Sequence, residues 1–255
     1  MGKILIRLHH SQLHLGLDEI QQIGEDAAEK GRLATPGPMM EQVPAQPKIY
    51  HITHLHNLPR IVEAGGLWSD AERIARGLDC RIVGMSEIKR RRLEELDVHC
   101  HPGTKVGQYV PFYFCPRSIM LFILHKANHP DLQYRAGQRP IVHLQADLQK
   151  TIEWAETCAM PWAFSTSNAG TKYANFYGSL DQLNEVNWAA IAANDWKASA
   201  VKEGKQAEFL IRDWFPWFLV EKIGVIDRAV SQEVENLLPN VSHLPLVSIE
   251  RDWYY

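Results

Sequence analysis

Few cysteines, no strong excess of charge and no long apolar run mark this sequence, and each shortage narrows what the protein can be. Its four cysteines, Cys80, Cys100, Cys115 and Cys158, are scattered, and none belongs to a Cys-x-x-Cys pair. A disulfide framework is therefore excluded and reduced thiols are expected. The balance of 27 Lys+Arg against 30 Asp+Glu leaves a net charge of −3, so any hold on a polyanion has to come from a local basic patch, because affinity for phosphate backbones needs several cations together. No apolar stretch approaches the roughly 20 residues that span a bilayer, and the first eight residues are broken by Lys3 and Arg7 too early for a signal-peptide core. A cytoplasmic, monomeric protein without membrane attachment is the expectation. What is present, 255 residues of which 45% are hydrophobic and 22% charged, suits a globule with a sizeable core and rules out disorder, collagen and coiled coil.

Prolines are concentrated early. Pro36, Pro38, Pro44 and Pro47 lie beside Gly31 and Gly37, and each proline removes a backbone donor and restricts the residue before it. Residues 1–47 thus read as an extension, with one amphipathic helix over Asp18–Lys30 and a Pro-rich linker, and residues 48–255 as the main domain. Within that domain Lys48–Thr53 alternates like a strand. Asn57 is placed to cap a short helix with Pro59 in its first turn, stopped by Gly65 and Gly66. Further strands are expected at Tyr109–Phe114, Ile141–Leu144, Ala207–Arg212, Ile223–Ile226 and Leu246–Ile249. Helices are expected over Met85–Leu96, Asp181–Ala193, from Pro216, and over Ser231–Leu238, with a polar loop after Ala193 through Gly204. Strands and helices do not alternate as βαβ units, so the fold class is α+β.

Two histidine groups, His51 with His54 and His56, and His99 with His101, invite a metal reading. Their spacing argues against it: on a strand His51 and His54 face opposite ways, and no second half-site follows. The run Lys89–Arg92 precedes Glu94 and Glu95, which can neutralise it at i, i+3 and i+4, yet an arginine fork also suits a phosphate or pyrophosphate. Arg117 and Ser118 fall between apolar runs, where a buried cation needs a partner. Glu208 opens the apolar stretch Phe209–Ile211, two positions after Gln206 and behind a loop holding Lys197, Lys202 and Lys205. A carboxylate there is costly unless exposed, paired or functional.

Taken together, Tyr50–His54 with Asn57 and Leu58, Ile88–Arg92, Tyr109–Leu121, Lys205–Leu210, Phe215–Trp217 and Arg251–Tyr255 resemble, in order and spacing, the DarT family of DNA ADP-ribosyltransferase toxins. The resemblance covers residues 48–255. It implies the ADP-ribosyltransferase fold, with central antiparallel β-sheets split around an NAD cleft and decorated by helices, and transfer of ADP-ribose from NAD to a nucleobase of single-stranded DNA, blocking replication. It implies Glu208 as the catalytic glutamate and Arg91 as the catalytic arginine, with Arg90 and Arg92 the other registers in the run. His51, Thr53, Asn57, Tyr113, Ser118 and Met120 match the NAD-lining segments, and Trp196, Lys197, Lys202 and Lys205 occupy the place of the loop that presents the nucleic acid. A DarG-type macrodomain antitoxin is the implied partner, and no metal is. Ile119 stands where family members often have proline, and Thr166–Gly170 replaces an Asp-Arg-His-like turn, so the modified base is left open. The alternatives are an enzyme of the same fold acting on RNA or protein, and a non-catalytic nucleic-acid-binding module.

Overall fold

In the computed structural model, residues 43–255 are described, apart from Asp195, Pro239 and Asn240. The helix expected over Asp18–Lys30 lies outside them. In chain order the elements are β1 (Lys48–His54), α1 (Leu58–Glu63), β2 (Gly66–Trp68), α2 (Asp70–Ala75), α3 (Ser86–Glu94), β3 (Tyr109–Tyr113), α4 (Ile119–Lys126), β4 (Ile141–Asp147), α5 (Leu148–Thr157), β5 (Trp162–Asn168), β6 (Phe176–Tyr177), α6 (Trp188–Ala192), α7 (Ser199–Gly204), β7 (Ala207–Arg212), β8 (Trp214–Pro216), β9 (Val220–Val225), α8 (Arg228–Leu237) and β10 (Leu246–Ile249).

Eight strands form one sheet in the order β10-β9-β4-β1-β3-β7-β5-β6, and β2 pairs with β8 separately. Only β9 and β10 run parallel; the other neighbours are antiparallel. β1 and β4 pair at every position from Lys48 opposite Asp147 to His54 opposite Ile141. By contrast β1 and β3 meet at a single rung, Tyr50 opposite Tyr113. Pro111 supplies a reason: its carbonyl faces β1, where it is bonded to His51 Nδ1 at 2.8 Å, and proline has no N–H to continue the ladder on that side. The sheet therefore divides there into two four-stranded halves.

The core lies around β3 and β7. Phe112, Phe164, Phe209 and Phe215 are fully buried, with the Phe112 and Phe215 rings 4.7 Å apart. α8 closes one face through Val230 and Val234, one turn apart and both buried, and Asp227 caps it by accepting from Val230 N at 2.9 Å. β2 can reach β8 only because residue 66 is glycine; a Cβ there would collide with the Phe215 carbonyl.

Several local expectations need correcting. Asp181–Ala193 is not one helix: a 3-10 turn over Leu180–Glu185 is followed by extended Val186, and Asn187 caps the short α6. The expected loop before Gly204 contains α7. Pro216 ends β8 and leads into a single 3-10 turn, Trp217–Leu219, rather than a helix. The apolar run from Met120 is helical, started by Ser118, whose hydroxyl accepts from Leu121 N at 3.2 Å. Asn57 precedes α1 but makes no cap bond with its side chain.

Candidate active site

β7 is buried along Ala207–Ile211 because β3 and β5 flank it on both edges. Glu208 sits second on this strand, opposite Tyr113, which in turn stands opposite Tyr50 across the division of the sheet. Its backbone N–H donates to Ser165 Oγ at 3.1 Å, and its Oε1 accepts from Ala169 N at 3.2 Å. With only 2% of its side chain exposed, the carboxylate requires a charged partner. That partner is Arg92: Nη2 lies 2.9 Å from Oε2 and Nη1 lies 3.3 Å from Oε1, the two-point geometry that a guanidinium fork favours. Burial alone would depress Arg92, but the charge and hydrogen bonds of Glu208 more than offset it and hold the guanidinium pKa above its ordinary value.

Helical geometry sorts the basic run. Lys89 and Arg92, three apart on α3, share the inner face; Lys89 Nζ bonds Asp70 of α2 at 2.7 Å. Arg90 turns outward to Glu87, Glu94 and Glu95, and Arg91 Nε lies 3.8 Å from Glu95. The structure brings Arg92 to Glu208, and not Arg91, the register expected from the sequence.

In front of this pair is a cleft of about 780 Å³, lined among others by His51, Thr53, Asn57, Tyr113, Met120 and Glu208. Its size falls within the roughly 300–1,000 Å³ of ordinary ligand sites. Burial holds His51 below the usual imidazole range, against the opposing pull of the Pro111 carbonyl, so its ring is neutral at pH 7. Asn57 Nδ2 donates to Thr53 Oγ1 at 3.1 Å and to the Arg81 carbonyl at 3.0 Å, while Oδ1 accepts from Arg81 N at 2.8 Å. The amide thereby ties β1 to a loop bordering the cleft. Burial first, and the Glu208 charge second, push the Tyr113 phenol up. Amide, hydroxyl and imidazole groups, further arginines such as Arg81, and the guanidinium–carboxylate pair line one cleft, a mixture that suits a ligand with sugar hydroxyls and phosphates. Among the described residues no three His, Cys, Asp or Glu side chains converge on a point that would hold a metal.

The profile of the family described as "ssDNA thymidine ADP-ribosyltransferase, DarT" matches residues 50–255. The chain belongs to the DarT family. A DNA ADP-ribosyl transferase of Thermus aquaticus is 40% identical over 215 residues, covering 83% of this chain and 90% of the relative. The structure of Thermus sp. 2.9 DarT in complex with ADP-ribosylated ssDNA superimposes with a TM-score of 0.76 at 33% identity, covering 85% of this chain and 100% of the other. The same protein in complex with NAD+ gives a TM-score of 0.70 at 33% identity, covering 84% and 100%. The α+β sheet described above is accordingly the ADP-ribosyltransferase fold.

In this DarT-family chain, five of the six residues matched to NAD-lining segments border the cleft; Ser118 does not. It is fully buried and serves as the cap of α4, which carries Met120. Of the residues assigned to a nucleic-acid loop, Lys205 is corrected most clearly. It is 4% exposed, and its Nζ donates to the carbonyls of Ala190, Ile191 and Ala193 at 3.4, 2.9 and 2.7 Å. It satisfies the open C-terminal end of α6 rather than facing a strand of DNA. Trp196 and Lys202 are half-buried and Lys197 is exposed, all outside the cleft lining. The sequence reading missed Gln206, Asn168, Asp70 and Lys89 as cleft residues. Gln206 had a usable signal, since it lies two positions before Glu208 and a strand returns to the same face every second residue.

Proposed function

We propose that this protein is a monomeric cytoplasmic toxin that transfers ADP-ribose from NAD to thymidine in single-stranded DNA, with residues 48–255 as the transferase and a DarG-type macrodomain protein as its antidote. The observation that carries the reading is the buried Arg92–Glu208 pair at the back of a dinucleotide-sized cleft in a DarT-family fold. The NAD+ and ADP-ribosylated ssDNA complexes of the Thermus sp. 2.9 relative support the donor and the acceptor, and the family description supports thymidine.

The chemistry follows from what the residues can do. NAD supplies a nicotinamide leaving group that already carries positive charge, so breaking its glycosidic bond leaves an electron-poor sugar carbon and needs little acid help. Glu208, fixed through its own backbone and Ala169 N, presents preorganised negative charge to that centre. Arg92 holds the carboxylate in place and supplies a fork for phosphate oxygens or for a base carbonyl. The ring N–H of thymine lies between two carbonyls and is a poor nucleophile until its proton leaves; Glu208 is the group placed to accept it. In duplex DNA that N–H is already paired, so the acceptor is a single strand. His51, Thr53 and Asn57 orient the donor on the opposite wall, with Tyr113 and Met120 between.

The test is incubation of the full chain with NAD and oligonucleotides that contain or lack thymidine, read by mass spectrometry. One ADP-ribosyl mass gained on thymidine-containing strands, and none with Glu208→Ala, is expected. An adduct on thymidine-free DNA alone, or on RNA or protein alone, would replace this acceptor assignment.

A further inference from the structure

Arg117 lies in the turn between β3 and α4, three residues before Met120, and nothing in the mechanism above uses it. Its guanidinium carbon stands 4.5 Å from the centre of the Tyr255 ring. Its Nε is buried without a hydrogen-bond partner, and among the described residues no carboxylate or carbonyl takes its other N–H groups. That is unusual, because inward cations in folded proteins are normally paired: Arg92 has Glu208, and Lys205 has three carbonyls. The turn itself is well held, since the Tyr255 hydroxyl donates to the carbonyls of Arg117 and Ser118 at 3.0 and 3.3 Å. Trp196 stands 6.5 Å from the Tyr255 ring, and Lys205 Nζ is 5.4 Å from the Trp196 ring. Cys115 Sγ contacts the Lys205 carbonyl at 3.7 Å, joining this turn to the segment that leads into Glu208.

We infer that Arg117, backed by Tyr255 and flanked by Trp196, is a subsite for one phosphodiester of the DNA strand and the base attached to it, beside the acceptor nucleotide. This rests on the single-stranded DNA reading above. A preorganised fork with unused donors recognises a phosphate, and an adjacent indole recognises the flat face of a base without regard to its identity. An isolated carboxylate ligand would leave the indole unused. Arg117 does not line the main cleft, which favours the strand over the NAD pyrophosphate. The subsite also replaces the role expected of Lys205, whose charge is spent on its own backbone.

The experiment uses the full chain, NAD and an oligonucleotide with a single thymidine, in which each neighbouring phosphate is replaced in turn by a neutral methylphosphonate. For the wild type, one position is expected to raise the oligonucleotide KM about tenfold. Arg117→Gln should raise that KM by a similar factor with kcat and the NAD KM nearly unchanged. It should also make the methylphosphonate at that one position silent, and reduce the slope of log affinity against log salt by about 0.7. Arg117→Lys should recover part of the loss. If Arg117→Gln does not fold, Trp196→Ala carries the test: its KM should rise for an oligonucleotide with an intact neighbouring base and not for one with an abasic neighbour. Equal methylphosphonate penalties in wild type and Arg117→Gln overturn the subsite, as does a rise confined to the NAD KM. In either case wild-type modification of DNA leaves the functional reading standing, whereas a wild type that modifies no oligonucleotide overturns both.

Discussion

Two basic segments, Lys89–Arg92 on α3 and Lys197–Lys205 before β7, look alike in sequence. In the structure they part ways. On α3 the run is divided by helical geometry: Arg92 points inward to a buried carboxylate, Arg90 pairs with glutamates on the outer face, and half-buried Arg91 lies 3.8 Å from Glu95. In the second segment the inward cation, Lys205, meets no carboxylate and is absorbed by three backbone carbonyls. The partner, and not the cation, decides the role. A carboxylate partner lining a cleft gives an ion pair at a candidate site, and carbonyl partners make a helix cap.

The sharpest way to break this contrast is within α3. Arg92→Ala leaves Glu208 buried and unpaired, so a loss of about 3–5 kcal/mol of stability is expected, together with a fall in transfer rate of at least about a hundredfold. Arg91→Ala removes only a long contact to a half-exposed glutamate, so it should cost about 1 kcal/mol and leave transfer nearly intact. Thermal melts and adduct mass spectrometry on both variants check this; equal effects would dissolve the register assignment. Next in size, Lys205→Met should cost about 2–3 kcal/mol through three carbonyls left without a charged donor, with the oligonucleotide KM unchanged under conditions where the variant is folded.

The contrast extends to a buried base that is held neutral. His143 is fully buried, with Nε2 at 3.0 Å from the Pro116 carbonyl, and burial lowers its pKa to about 4. Its folded value lies below its unfolded value, so between about pH 6.5 and 4 the unfolded chain binds the extra proton and stability falls as pH falls. Urea melts across that window should show the slope, to which His54 and His51, also held low by burial, contribute, and His143→Gln should lessen it. The smallest effect is expected from Lys197→Ala with Lys202→Ala: a rise of a few fold in oligonucleotide KM and a shallower salt dependence, with stability unmoved.

Most strands were legible through their β-branched and aromatic residues: buried Ala207–Arg212 falls where the sequence places it, and so does the more exposed Leu246–Ile249. α5 and β5 were not anticipated. Glu208 was legible as a carboxylate at the mouth of an apolar run, and the cleft wall of His51, Thr53 and Asn57 through family resemblance. Which arginine of the run turns inward was not, because Arg91 and Arg92 differ by one step of a short helix whose phase is set by contacts far along the chain. Lys205 was misread for a similar reason: its partners are carbonyls, and the backbone writes no letter into the sequence. Asp70 and Lys89 meet across 19 positions, and neither alone signals the other.

Glu208 sits on a strand paired along both edges, whereas Arg92, Arg117 and Trp196 belong to a short helix, a turn and a loop. The rigid sheet thus holds the acid, and irregular segments carry the groups around it. A fixed carboxylate among adjustable neighbours can keep one position in the fold while the groups that face a bound strand shift around it.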